Sequence, residues 1–82
     1  MKLSIVSPEE TLYEGEVKSV KMQGIDGKFQ VLNDHAPLIS ALSKGDIVIE
    51  EISGEKKSFA INSGLVELAK NEIHIWLNRL GK

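Results

Sequence analysis

The feature that most constrains this fold is a series of short apolar segments separated by glycine, proline, asparagine and aspartate. The segments suit β-strands in length and are too short for typical α-helices. They are Leu3–Val6, Thr11–Val17, Val17–Gln23, Lys28–Leu32, Asp46–Ile52, Lys57–Asn62, Leu65–Ala69 and Glu72–Asn78. Short strands at this spacing are typical of an all-β sandwich or barrel.

Alternation within the segments predicts which side chains face the core. In the last segment, "EIHIWLN", three aliphatic residues alternate with polar or aromatic ones. Because successive side chains of a strand point to opposite faces, Ile75 should be buried and Trp76 should point outward. The phase breaks at Glu50-Glu51, which predicts a bulge or a strand that is apolar on both faces.

Turn signals lie between the segments. Asp26-Gly27 favours a hairpin because glycine accepts positive φ, and Asn71 tolerates the left-handed region. We predict turns at Glu14-Gly15, Asp26-Gly27, Ser53-Gly54, Ser63-Gly64 and Lys70-Asn71. Residues 36–42 fit either a turn of helix or a short strand, and the pattern does not decide between them.

Composition excludes several classes of function. The chain has 82 residues, which predicts one domain over residues 1–82. A formal net charge of -2, without a basic stripe, gives no general attraction to nucleic acid. The absence of cysteine excludes disulfides and thiolate chemistry. No apolar run approaches the ~20 residues that span a bilayer, so we expect no direct membrane insertion.

Catalytic and metal-binding patterns are also missing. His35 and His74 have no marked catalytic partners in the sequence, and Asp34-His35 lacks further ligands at metal-site spacing. The segment "GIDGKF" lacks the Lys-Ser/Thr ending of a phosphate loop. We therefore expect no catalytic residue, cofactor or metal. Asp34 or Asn33 can instead cap a turn, with His35 bonded to the backbone or to a partner.

A free-standing carrier or ligand-binding β-sandwich is the alternative interpretation by size. Carrier domains present one modifiable lysine at a hairpin tip. Here Lys21 lies inside a strand segment and is not preceded by the methionine of a biotin acceptor.

The most specific motif is "NDHAPLISAL", Asn33 to Leu42, followed by Lys44-Gly45. Ser7-Pro8-Glu9, an aromatic-x-Gly at Tyr13-Glu14-Gly15 and a Gly-x-x-Gly turn precede it, and "SGLVEL" and "NEIHIWL" follow it. In this order, over essentially the whole chain, the motifs resemble the epsilon subunit of F-type ATP synthases.

The resemblance implies a two-sheet β-sandwich of mainly antiparallel strands in a non-catalytic subunit of the central rotor stalk. The implied partners are the gamma subunit and the c-subunit ring, so that the domain couples proton flow to ATP synthesis. The implied location is peripheral, on the cytoplasmic face of a bacterial inner membrane.

The same resemblance implies that residues 33–42 form a contact loop, with Pro37 stiffening it and His35 offering a polar contact. The alternative for Leu38 and Leu42, which their residue type favours, is that they belong to the core. Lys28 stands where many relatives carry an acidic residue, in a turn thought to meet the c ring. The candidate partner contacts are Ser7, Lys28, Asp34, His35, Pro37, Ser40 and Trp76.

One departure concerns the C-terminal helical hairpin that family members usually carry. The sequence stops soon after Trp76, so we expect no hairpin and no nucleotide binding in this chain.

Overall fold

The computed structural model describes residues 1–78, and these residues form eight β-strands and no helix. The strands are β1 (Lys2–Val6), β2 (Thr11–Gly24), β3 (Gly27–Leu32), β4 (Leu38–Leu42), β5 (Gly45–Glu51), β6 (Lys56–Ile61), β7 (Gly64–Ala69) and β8 (Glu72–Leu77). All pairings are antiparallel except that between β1 and β8, which is parallel. The expected all-β sandwich of mainly antiparallel strands is confirmed.

Strand β2 is 14 residues long and belongs to both sheets of the sandwich. Its first half pairs with β1 and continues the sheet through β8, β7 and β4. Its second half pairs with β3 on one side and β5 on the other, and β6 completes that sheet. A register shift between Val17 and Ser19 separates the halves. One bridge, Gly24 to Leu42, joins the sheets again at the far end of β2.

The core lies between the sheets and takes one face of nearly every strand. Among residues 1–78, ten aliphatic side chains are fully buried: Leu3, Ile5, Val17, Val20, Val31, Ile47, Ile49, Val66, Ile73 and Ile75. The alternation predicted for the last strand is confirmed, because Ile75 is buried whereas Trp76 is 41% exposed. Leu42 is buried and Leu38 packs against the core, so the core interpretation holds for both.

Two of the predicted hairpins depend on residues that accept positive φ. The β2–β3 turn consists of residues 25 and 26, and Gly27 follows at φ 126°, a region that glycine occupies readily. The β7–β8 turn is Lys70-Asn71, with φ 52° and 64°. Two consecutive left-handed residues suit the right-handed twist of a tight hairpin.

The predicted turn at Glu14-Gly15 is wrong, because both residues lie inside β2. Gly15 pairs with Leu3 of β1, and the strand passes through it without a break. A Cβ added at Gly15 would lie 3.0 Å from the Tyr13 hydroxyl oxygen. The glycine therefore makes room for an aromatic ring that lies over the strand, rather than turning the chain.

Two ambiguities of the sequence are resolved. Residues 38–42 form a strand, β4, antiparallel to β7. The irregularity expected at Glu50-Glu51 occurs in the partner strand: Val17 pairs with Glu51 and Ser19 with Glu50, so Lys18 is the extra residue. The disrupted phase of β5 reflects a bulge in β2.

A polar clamp ties the first half of β2 to the other sheet. The Tyr13 hydroxyl donates a hydrogen bond of 2.6 Å to Glu51 Oε2, and Lys57 Nζ lies 3.4 Å from the same oxygen. The Tyr13 ring meets Phe59 edge to face, with centroids 6.0 Å apart. Burial and the bond to Glu51 raise the pKa of Tyr13 to about 12. The Tyr13 hydroxyl, followed by Lys57, lowers the pKa of Glu51.

Removing part of the Ile75 side chain should destabilise the fold, because this residue is fully buried. We expect Ile75→Ala to lower the free energy of unfolding by about 2–4 kcal/mol through the cavity it leaves. Lys56→Ala, at the exposed start of β6, should change it by less than about 0.5 kcal/mol. Urea unfolding checks both values, and the reverse ranking would invert our assignment of strand faces.

Removing the Tyr13 hydroxyl should change how stability depends on pH. The lowered pKa of Glu51 stabilises the fold above the ordinary value of 4.5, and this stabilisation is lost as pH falls through the lowered pKa. The raised pKa of Tyr13 stabilises the fold below pH 10.0, and this is lost as pH rises toward about 12. Tyr13→Phe should therefore cost most stability between these limits and progressively less outside them.

Urea unfolding at pH 3, 7 and 11 measures this profile. Lys57→Gln is the control, because it leaves the hydrogen bond between the Tyr13 hydroxyl and the Glu51 carboxylate intact. This variant should still lose stability at alkaline pH as the wild type does. A Tyr13→Phe difference that is constant across pH would show that the clamp contributes only packing.

Candidate docking surface

The predicted contact residues are divided between the two sheets and the loops around them. Asp34, His35 and Pro37 lie in the exposed loop between β3 and β4, Ser40 lies in β4 and Trp76 in β8. Ser7 follows β1, and Lys28 lies in β3 of the other sheet. The structure therefore brings most of them to the β1-β8-β7-β4 sheet and leaves Lys28 apart.

The loop after β3 is held by its own backbone and by Asn71, whose Oδ1 accepts a hydrogen bond from the Asp34 amide at 3.4 Å. Asp34 has φ 66°, and the His35 amide donates to the Leu32 carbonyl at 3.1 Å. The His35 Nδ1 atom lies 2.7 Å from the Ala36 carbonyl oxygen. Because a carbonyl only accepts, Nδ1 carries the proton in this contact and Nε2 remains available to a partner. The side chains of His35 and Pro37 are exposed.

An apolar face crosses the outer surface of the β1-β8-β7-β4 sheet. The register places Val6 beside Trp76, Trp76 beside Leu65, and Leu65 beside Ala41. Ile39 lies two residues from Ala41 along β4 and is 70% exposed; Leu65 is 42% exposed. We call Val6, Ile39, Ala41, Leu65 and Trp76 the apolar face. Contiguous exposed apolar side chains of this kind mark interaction sites.

Charged residues border the apolar face. The next row of the sheet runs from Glu14 through Ser4, His74 and Glu67, and it ends at Ile39 of the apolar face. His74 stacks on Trp76, with ring centroids 5.8 Å apart and planes inclined by 23°. Its Nε2 atom lies 3.5 Å from Glu72 Oε1. The border is therefore mainly acidic.

Ser7 and Ser40 contribute less directly than the sequence suggested. The Ser7 hydroxyl accepts bonds from the amides of Glu9 and Glu10, which fixes the turn beyond Val6. Ser40 alternates with Ile39 and Ala41, so it does not share their face, and its hydroxyl bonds to the Ala41 carbonyl. Both serines shape the backbone beside the apolar face.

Sequence reasoning missed Ile39 and Leu65 as surface residues. The exposure of Ile39 could not be predicted, because residues 36–42 show neither a clear helical nor a clear strand periodicity. Leu65 is adjacent to Val66, and two neighbouring apolar residues in a strand occupy opposite faces. That pairing was the available signal, because a buried Val66 forces Leu65 outward.

Lys28 borders an open groove on the outer surface of the other sheet. The groove has a volume of about 630 Å³ and is lined mainly by β3, β2 and β5. Lys28 is paired with Gln23, and Lys21 is paired with Gln30 and with Val48. The lining combines lysines, glutamines and Asp46 with Met22, Phe29 and Val48, so this surface is more mixed in polarity than the apolar face.

Within residues 1–78, no three histidine, cysteine, aspartate or glutamate side chains are grouped to hold a metal ion. Over the same residues, there is no helix with the length and apolar character needed to cross a membrane.

Comparison with protein families gives a match over residues 1–80 to the ATP synthase Delta/Epsilon chain, beta-sandwich domain. The chain belongs to this family. The exposed sheet face, the loop at Asp34–Pro37 and the two hairpin turns at Asp26-Gly27 and Lys70-Asn71 all lie within the matched residues.

Curated relatives in the family are similar in sequence to this chain over most of its length. The ATP synthase epsilon chain of Nitratiruptor sp. is 46% identical over 72 residues, which are 88% of this chain and 56% of the relative. The ATP synthase epsilon chain of Chlorobium limicola is 39% identical over 71 residues, which are 87% of this chain and 81% of the relative. The chain thus spans little more than half of the first relative and most of the second.

A solved structure shows the same fold. A chain in the Euglena gracilis mitochondrial ATP synthase, OSCP/F1/c-ring in rotational state 1, superposes with a TM-score of 0.86 at 19% sequence identity. The match covers 92% of this chain and 48% of that chain.

Trp76 should be accessible to solutes in the isolated protein, because its side chain is 41% exposed on the apolar face. It is the only tryptophan, so its fluorescence reports on this face alone. We expect a red-shifted emission and strong quenching by iodide, approaching that of the urea-unfolded chain. A blue-shifted spectrum with weak quenching would mean that the ring is covered in the free protein.

Proposed function

We propose that this chain is a non-catalytic central-stalk subunit of a proton-translocating F-type ATP synthase, in which it binds the gamma subunit and the c-subunit ring. In this role it couples ion flow to ATP synthesis. Residues 1–82 act as one domain, peripheral on the cytoplasmic face of a bacterial inner membrane. Family membership and the bacterial relatives named ATP synthase epsilon chain support this proposal.

The observation that carries the proposal is the apolar face. Ile39, Leu65 and Trp76 stand exposed in three strands of one sheet, whereas the core between the sheets is complete without them. Leaving these side chains in water costs free energy that a partner recovers when it covers them. A rigid sheet also suits a part that must transmit torque, since its side chains are fixed by cross-strand pairing.

The second supporting observation is that the candidate contacts occupy two sides of the sandwich. The apolar face and the His35 loop lie with the β1-β8-β7-β4 sheet, and Lys28 lies on the opposite sheet. One domain can therefore contact two partners at once. We assign the apolar face and His35 to gamma and the Lys28 surface to the c ring.

A free-standing ligand-binding or carrier module is the second candidate, and the groove beside Lys28 favours it. The volume, about 630 Å³, falls in the range of small-molecule sites. The carrier version has less support, because Lys21 lies in mid-strand between Gln30 and Val48 rather than at a turn. Mass spectrometry of the protein from its own cells would reveal a modified lysine if this version applied.

Titration calorimetry of the purified chain with the gamma subunit of the same organism tests the leading proposal. We expect 1:1 binding. Leu65→Glu should weaken it at least about tenfold, because a carboxylate would be buried against an apolar partner. His35→Ala should weaken binding while leaving the melting temperature nearly unchanged, because the side chain is exposed in a loop.

Ser58→Glu is the matched control, because Ser58 is exposed on β6 of the other sheet and opposite Val48. It introduces the same charge and should bind gamma as the wild type does. No binding of gamma, or equal binding of the Leu65→Glu variant, would contradict the proposal. A His35→Ala variant that loses stability but binds normally would make His35 structural.

A further inference from the structure

His74 is the titratable side chain that stacks on an aromatic residue of the apolar face. Its ring centroid lies 5.8 Å from that of Trp76 with the planes inclined by 23°, and its Nε2 atom lies 3.5 Å from Glu72 Oε1. The side chain is 47% exposed, so protons reach it freely in the unbound protein. Histidine ordinarily changes charge between pH 5 and 8. The apolar character of the neighbouring surface therefore depends on whether His74 is neutral or protonated.

We propose that His74 is a proton-sensitive switch in the docking surface, and that its protonation weakens partner binding. This inference rests on the proposed function, since it assigns a regulation to the same surface. Neutral imidazole extends the flat aromatic area of Trp76 and can be covered by an apolar partner at little cost. Imidazolium holds water strongly, so covering it carries a desolvation cost that neutral imidazole does not.

The surrounding charges act in the same direction. The groups that face His74 are Glu72 on its own strand, Glu67 opposite it on β7, Lys2 on β1, and Glu14 beyond Ser4 on β2. While His74 is neutral, three carboxylates outnumber one lysine, and this surface favours a partner with a basic border. Protonation removes one unit of that negative charge. Loss of apolar contact and loss of electrostatic complementarity thus both weaken binding at low pH.

An apolar partner that covers His74 disfavours the imidazolium, because the charged form loses its water. Binding and protonation are therefore antagonistic, and by linkage each must weaken the other to the same extent.

The first test uses Trp76 emission of the purified chain between pH 5 and 8. A protonated imidazole quenches a stacked indole more strongly than a neutral one, so emission should fall as pH falls. His74→Gln should abolish this transition, and His35→Gln should retain it, because His35 has no ring contact with Trp76.

The second test measures the Kd for the same gamma subunit at pH 7.5 and 5.5. We expect the wild-type Kd to rise about fivefold or more at pH 5.5, and the His74→Gln Kd to change less than about twofold. Thermal melts at both pH values confirm that each variant is folded.

The outcomes separate the two proposals. Failure to bind gamma at pH 7.5 would overturn the proposed function and this regulation with it. If gamma binds strongly and the Kd changes with pH to the same extent in the wild type and in His74→Gln, only the switch is overturned. A flat emission profile in the wild type, or a transition that survives in His74→Gln, would show that His74 and Trp76 are not coupled.

Discussion

Strand β2 is shared by the two sheets, and the positions of the other strands follow from it. Its first half holds β1, and through β1 the sheet extends to β8 and β7. Its second half lies between β3 and β5. A 14-residue strand can serve both sheets only if it bends, and the extra residue between Val17 and Ser19 provides the bend. The Tyr13–Glu51 bond then holds the bent strand against the opposite sheet.

The core is complete without the side chains of the apolar face, so the proposed docking would require no unfolding. Val66 and Ile75 complete the interior, while their neighbours Leu65 and Trp76 stand outside. A side chain of the apolar face therefore can change without opening a cavity in the core. The acidic border has a second effect, because like charges oppose the stacking of two copies of this chain through the same face.

Much of the fold could be predicted because period-two alternation reports burial directly. It placed Ile75 inside and Trp76 outside, and the residues that accept positive φ located the β2–β3 and β7–β8 hairpins. Gly15 was misread because a glycine that admits an aromatic ring looks like a glycine that turns the chain. The site was harder to predict: the Leu65–Trp76 contact depends on register between strands, and no single segment contains it. The motif resemblance indicated the His35 loop. The apolar face is created by the pairing of β4, β7, β8 and β1, which the motifs do not report.

The parallel pairing of β1 with β8 has a consequence for how the chain is made. Lys2 lies beside Glu72 and Val6 beside Trp76, so β1 closes on the last of the described strands. Contacts so distant in sequence form late, because loop closure must precede them, whereas the tight β7–β8 turn forms locally. Until β1 pairs with β8, one edge of β1 is unpaired and Val6 does not lie beside Trp76, so the apolar face is incomplete. A nascent or misfolded chain consequently lacks the apolar face, and only the folded molecule presents it.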